Sequence, residues 1–520
     1  MRLRDTDSRA HARPQSRPSA DRHRVVRSLL SRQSFIAGCG VGIASLVWSI
    51  STQPPIVSIT LTALVSLLGF VSFLRSTYVT LYLYALGVLL AGYAMFGRGF
   101  AYLGFGPVFV GELALLLGGV ALAVVPGPFR RVFRSPTIWL LAIFVVLGAL
   151  RTLPYVNVFG IDAFRDGVVW GYAVFAVIVA SLLSRPDQAR RVFMVYGRMI
   201  PWFLLWLPVA GLVMRFGADF VPQTAPGVPF IALKSGDIGV HLSGALAFLV
   251  LRPVLTGAVG VRLVARLEPV LWLAWFIAFA QAFNNRGAIV TVLVSGVALL
   301  LLHRSTQWRK PLLLGLAAAA VFAIGDVEIP LSSTRSISID SVTTAVTSLV
   351  AETGESALDN TRRWRLDWWT DIVNYTVFGE HFWMGKGFGI NLANDDGYQV
   401  HGDNSLRSPH NAHLTVLARL GVPGALIWLL LLSTFAWGLL RGIRISTRQG
   451  DLPLATLMRF ILIYWLAFIV NANFDVFLEG PQGSIWFWCL VGFGIALTQL
   501  ASERAKTRRR MDGPTWRDVQ

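Results

Sequence analysis

"LRSPHNAHLTVLARLGVPGALIWLLLL", Leu406–Leu432, turns from a polar segment into a wall of Leu, Ile and Ala within a few positions. A run of that kind is long enough to cross a hydrocarbon core as helix, which takes about 20 residues. The rest of the chain repeats the pattern. Of its 520 residues, 54% are apolar and only 14% are charged, whereas soluble domains run near about a quarter charged. A transmembrane β-barrel would show short alternating segments instead. The expectation is an all-α polytopic membrane protein with about 12–14 transmembrane helices. Spans are expected near 35–51, 56–74, 78–96, 108–126, 136–150, 167–184, 199–215, 237–251, 268–283, 287–302, 311–326, 411–439, 454–471 and 484–500.

Basic residues orient these spans. "GPFRRVFRS", "RPDQARRVFMVYGR", "RPVLTGAVGVRLVARLE", "HRSTQWRKP" and "RGIRISTRQGD" fall on one side and alternate with connections poor in Arg and Lys. The arm 1–34, read as disordered, and the tail 501–520 join the basic set, so both termini are expected in the cytoplasm. The arm is too long for the charged region of a signal peptide. The formal net charge of +18 fits loops and tails against an anionic leaflet rather than nucleic acid. Cys39 and Cys489 both lie in apolar runs, with neither a disulfide framework nor zinc spacing.

Between the bundle 35–326 and the C-terminal spans 410–500 lies 327–409, far longer than any other connection. It carries eleven acidic and six basic residues and is expected to form a large extracytoplasmic loop domain. Trp364, Trp368, Trp369 and Val373 fall near helical spacing there. "GKGFG" at 385–389 lacks the strand-turn-helix setting of a nucleotide loop, and its glycines suit a tight turn.

On the outward side, few short turns hold a cation. Arg98 and Arg151 read as interfacial anchors, and Arg165-Asp166 as a local ion pair. Glu112 would be explained by a basic partner. Arg286 is different: it sits in the tight turn "NNRG", where a side chain has little room to reach water. Arg is suited to bidentate contact with phosphate. Arg215 and Lys234 are the next candidates for a diphosphate clamp.

Three pieces of this sequence resemble the O-antigen ligase family, which includes related polysaccharide polymerases. "NNRGA" at 284–288 is similar to the family's S-R-G-A turn, with Asn285 in place of Ser. "RLDWWTDIVNYTVFGEHFWMGKGFGINL" at 365–392 is similar to its R…W…G-x-G segment. "PHNAHLTVLARLGVPG" at 409–424 is similar to its H-N-x-x-L…G-x-x-G signature. Lys234-Ser-Gly stands where many members have Arg-x-x-Gly. The resemblance implies a GT-C-like fold and no cofactor or metal. It implies transfer of a glycan from a polyprenyl-diphosphate-linked donor to a glycolipid or polysaccharide acceptor, outside the cytoplasmic membrane, for the cell envelope or an exopolysaccharide.

Such a reaction needs a base for the attacking hydroxyl and cations for the leaving diphosphate. His410, with an imidazole near neutrality, is the candidate base; an ordinary helix-capping histidine is the alternative. Asn411, Asn285 and Arg365 are candidates for positioning substrate, Arg365 alternatively pairing with a loop acid. His413, one helical turn on, reads as an interface residue. A repeat-unit polymerase of the same family and a flippase for lipid-linked glycans remain open alternatives. The flippase would show internal repeats and midplane breaks, and the sequence shows no repeat.

Overall fold

The computed structural model describes residues 78–105, 108–124, 131–183, 186–259, 262–282, 285–303, 308, 329–332, 335–337, 356–400 and 402–511. The expected arm 1–34, the spans at 35–51, 56–74 and 311–326, and Cys39 lie outside them. Seven helices among the described residues are long and apolar enough to cross a membrane, and four shorter apolar helices accompany them. Every expected span that falls on described residues is therefore a helix.

We number the long helices α1 (Tyr78–Phe96), α2 (Val110–Val124), α3 (Pro136–Leu150), α4 (Val168–Leu182), α5 (Pro186–Phe216), α6 (Ser235–Val259), α7 (Glu268–Ala282), α8 (Arg286–Leu302), α9 (Ser356–Val377), α10 (Ala412–Arg448), α11 (Leu452–Asn471) and α12 (Pro481–Met511). Sheet among the described residues is limited to three two-stranded antiparallel hairpins, such as Gly104–Phe105 against Val108–Phe109.

Several helices run past the apolar stretch that revealed them. "RPDQARRVFMVYGR" is the first part of α5 from Pro186 on, "RGIRISTR" ends α10, and the tail is helical to Met511. These segments were expected as connections. Arg, Lys and Gln are good helix formers, so a helix that leaves apolar surroundings has no local reason to stop. Arg252 likewise lies inside α6 and not in a loop. It forms a buried ion pair with Glu268 at 2.7 Å and donates to the Val264 carbonyl.

The helices that carry the candidate residues form one packed group. α6 lies against α8 and α11, and α11 also against α8, α10 and α12. The α6–α8 crossing is close: a Cβ on Gly239 would stand 2.8 Å from the Ala288 Cα. The tryptophans divide between surface and interior. Trp139, Trp202 and Trp437 are exposed, but Trp272, Trp428 and Trp488 are fully buried. A buried indole N–H gains from an acceptor: Trp488 has the Val169 carbonyl at 2.8 Å, whereas Trp272 Nε1 has none. Cys489 is buried with a free thiol.

The described part of 327–409 packs on the start of α10. Trp368 and Ile372 of α9 form a buried cluster with Leu392, Leu406 and Ala418, and the Trp368 indole donates to Asp396 at 2.6 Å. The expected helix around Trp364–Val373 is the centre of α9. Further along, α10 kinks at Gly421, whose φ is +67°. Pro423 has no N–H to give to the Arg419 carbonyl four residues back. The glycine turn of the loop supplies the missing donor: Gly387 N–H bonds Arg419 O at 3.0 Å, and Lys386 N–H bonds Ala418 O at 2.7 Å. Val422 N–H returns a bond to Phe382 O at 2.8 Å. Gly385 (φ +59°) must be glycine for this fit, since a Cβ there would meet the Arg419 carbonyl carbon at 2.4 Å.

Candidate active site

His410 sits at the junction of loop and α10 with φ +56°. Left-handed backbone costs a residue with a Cβ about 1–2 kcal/mol, so neighbouring contacts must hold it. Trp369 Nε1 donates to the carbonyl of Pro409 at 2.9 Å. On the other side, Asn411 caps α10, its Oδ1 accepting from the amides of His413 (3.1 Å) and Leu414 (3.2 Å). Ala412 N–H is bonded to Ala472 O at 2.8 Å. His410 itself is half-buried. Asn411, a candidate for positioning substrate, uses its Oδ1 in this cap.

His413 is accounted for in full. Its Nδ1 accepts from Trp428 Nε1 at 3.0 Å, so Nε2 carries the proton, 3.2 Å from the Ile469 carbonyl. A ring with both nitrogens engaged in this way has no role left as a base.

The turn that follows α11, Asn471–Asp475, joins this junction to the expected cations. Ala472 binds α10, as above. Phe474 O accepts from Arg365 Nη1 at 3.3 Å. The Phe474 Cβ lies against Gly287, where a side chain would come within 2.7 Å of it. Asn471 Nδ2 donates to Gly236 O at 3.2 Å. Arg286, first residue of α8, and Lys234, just before α6, are thereby gathered around one turn with Arg365. α8 starts here because Asn285 is its cap, Oδ1 accepting from Ala288 N–H at 3.2 Å, a role for which Asn is favoured. Arg215 lies at the exposed end of α5 with its guanidinium 5.0 Å over the Phe216 ring.

Two acids share the cationic group. Asp475 (8% exposed) and Asp237 (2% exposed) act electrostatically on one another, and Lys234 acts on Asp237. Neither oxygen of Asp237 accepts a hydrogen bond from another residue. Burial lowers the Arg365 pKa, Asp475 opposes that and Arg286 adds to it. An arginine stays charged through such a shift.

A second charged cluster lies where the loop meets the bundle. Asp166 accepts from Arg407 Nε (2.9 Å) and Nη2 (2.8 Å), from Gly389 N–H (3.1 Å), and pairs with Arg419 Nη2 at 3.0 Å. Arg165 instead approaches Asp162 at 3.8 Å, so Asp166 is structural, but with partners far along the chain. Arg151 is no simple anchor either: it donates to Gly385 O at 3.1 Å and to Tyr155. The partner of Glu112 is the Tyr172 hydroxyl and the Phe109 amide rather than a cation. Glu479 was absent from the sequence expectations altogether. It lies in the short turn between α11 and α12 and accepts from Thr415 Oγ1 at 3.0 Å.

Residues 269–429 match the family model described as O-antigen ligase. Over that stretch the chain is similar to the O-antigen ligase family. The match begins in α7 and ends in α10, so it takes in Arg286, Arg365 and the His410 junction. With the apolar helices it indicates an integral membrane protein, and it supports a glycosyl-transferring role in general. No curated protein matches the chain.

Proposed function

We propose that the protein transfers a glycan from a polyprenyl-diphosphate-linked donor to an acceptor hydroxyl on the outward face of the cytoplasmic membrane. His410 takes the proton of the acceptor hydroxyl as its oxygen bonds to the anomeric carbon. The bond from that carbon to the diphosphate breaks, and the diphosphate leaves with the electron pair. Arg286, Arg365 and Lys234 neutralise the charge that grows on it. Arg215 and Asn285 complete the proposed donor side, the latter by orienting the first turn of α8. The observation that carries this reading is His410 itself: an imidazole in a strained backbone, pinned from three sides, beside a turn that collects cations. Strain at a residue over-determined by its surroundings is a mark of functional sites.

The test uses the full chain in liposomes with a polyprenyl-diphosphate glycan and a candidate acceptor. Covalent transfer that is lost in His410→Ala, with the protein still folded, supports the reading. Lipid translocation without covalent transfer overturns it in favour of a flippase. Transfer to a second copy of the donor glycan marks a polymerase, and transfer to a different molecule a ligase.

A further inference from the structure

We propose that Arg459, Thr447 and His303 form a binding site for the headgroup phosphate of an anionic phospholipid, at the end of the bundle opposite His410. α11 meets the His410 junction at its C-terminal end, where Ala472 O binds the start of α10. Arg459 lies in its other half, seven residues past Leu452. At a rise of 1.5 Å per residue that is about 10 Å along the axis, within the span. The guanidinium reaches back to the last turn of α10, where Nη2 donates to Thr447 Oγ1 at 3.3 Å. α8 packs on α11, and His303 at its C-terminal end is close enough for the Arg459 charge to act on the imidazole.

Arg459 is a half-buried cation with no acid to match it. Among the described residues it forms no ion pair, and no acid counters its burial. Its Nε is shielded from solvent, and no residue accepts from it. Other arginines at this end are served: Arg504 by Asp451, Arg131 by Glu503 at 3.2 Å, and Arg508 by the Gln449 carbonyl at 3.0 Å. Taking a cation out of water is unfavourable unless an anion offsets it, and the planar fork of Arg suits a phosphate. Thr447 is exposed and adds a second donor: its hydroxyl accepts from Arg459 and keeps its own proton to give. Burial and the Arg459 charge hold the His303 pKa below its usual value, so the imidazole is a neutral third donor and not a second repelling cation.

The surroundings favour a lipid over free phosphate. Leu300 and Leu301 in the last turn of α8 and Leu452 at the start of α11 are exposed. Helices that carry the donors thus also present apolar surface to acyl chains. Residues 304–310, which follow His303, include Arg304, Arg309 and Lys310 and no acid. Clustered cations of this kind are drawn to anionic lipid surfaces. The site shares no residue with the His410 junction, so it stands whether or not His410 is the base.

The test titrates the full chain in micelles of neutral detergent with phosphatidylglycerol, phosphatidylcholine or inorganic phosphate, and counts bound lipid by native mass spectrometry. Phosphatidylglycerol is expected to bind the natural protein and to outcompete phosphatidylcholine. Arg459→Ala should weaken phosphatidylglycerol binding by at least about tenfold, as for a lost hydrogen bond to a charged group. Thr447→Ala, a change at an exposed position, should keep the fold and weaken binding by about threefold. Arg448→Ala, at the neighbouring exposed end of α10, should leave it unchanged. Undiminished binding in folded Arg459→Ala overturns the proposal, and an equal loss in Arg448→Ala overturns it in favour of a diffuse basic rim. Phosphatidylcholine bound as tightly as phosphatidylglycerol, or full displacement of the lipid by an equal concentration of inorganic phosphate, overturns it as well. If Arg459→Ala does not fold, Thr447→Ala decides, and unweakened binding there overturns the proposal.

Discussion

Two of the clusters of opposite charges among the described residues differ in how well they are satisfied. Asp166 is saturated: Arg407, Arg419 and Gly389 fill its oxygens, and the cluster welds the glycine turn to α10. The group around Asn471–Asp475 is not. Arg286, Arg365 and Lys234 gather there with Asp475 and with an Asp237 that no other residue serves as donor. A saturated ionic cluster has nothing left to offer a ligand, whereas the cations of the second group are the ones proposed above to meet a diphosphate. The two clusters should therefore fail in different ways.

The largest separation is expected at the junction itself. His410→Ala should lower transfer by about 10²–10⁴-fold, the range for removing a general base, with an unchanged thermal midpoint in detergent. Next, Arg286→Ala and Arg365→Ala should each lower kcat by about 10²-fold, as for loss of one group that stabilises developing charge, again with the fold intact. The saturated cluster should respond in the opposite sense. Asp166→Asn leaves buried Arg419 without its counter-ion and should cost about 3–5 kcal/mol of stability, read as a lowered unfolding midpoint, while the folded fraction keeps its turnover. A catalytic defect in stable Asp166→Asn protein would erase the contrast. The smallest effect is expected at Asp237→Asn. No partner's bond is lost, so the midpoint should hold or rise while donor KM changes by no more than about twofold, well under 1 kcal/mol. Unfolding in that variant would place Asp237 with the structural group.

Much of this was legible in the sequence, for specific reasons. Apolar length located the long apolar helices among the described residues, because crossing a hydrocarbon core imposes it, whereas α9 was signalled by aromatic spacing. It did not locate helix ends, since Arg-rich stretches such as 186–198 continue a helix as readily as they leave it. "PHNAH" and "NNRG" flagged the junction and the cap of α8, because polar pairs at the mouth of an apolar run demand partners. Arg419 was also open to detection: an arginine inside an apolar run is rare and expects a counter-ion. Its identity as Asp166 was not readable, because the two meet only through the folded loop. Nor was the part played by "NANFD" at 471–475. Three of its contacts are made by backbone or by the close approach of a glycine, and these carry no residue signature. Glu479 has the look of an ordinary turn acid until Ser408 and Thr415 are brought to it.

The interlock between the glycine turn and the α10 kink bears on how substrates reach the junction. Backbone bonds from Lys386 and Gly387 to α10, and from Val422 back to Phe382, make residues 382–387 part of that helix's own hydrogen-bond ladder. Segments that open as lids are drawn from the weakly bonded end of a structure, and this turn belongs to the opposite end. Residues 382–387 are a fixed wall. In the proposed reaction this segment stays in place while donor and acceptor come to His410, and a gate on their path is hinged outside residues 382–387.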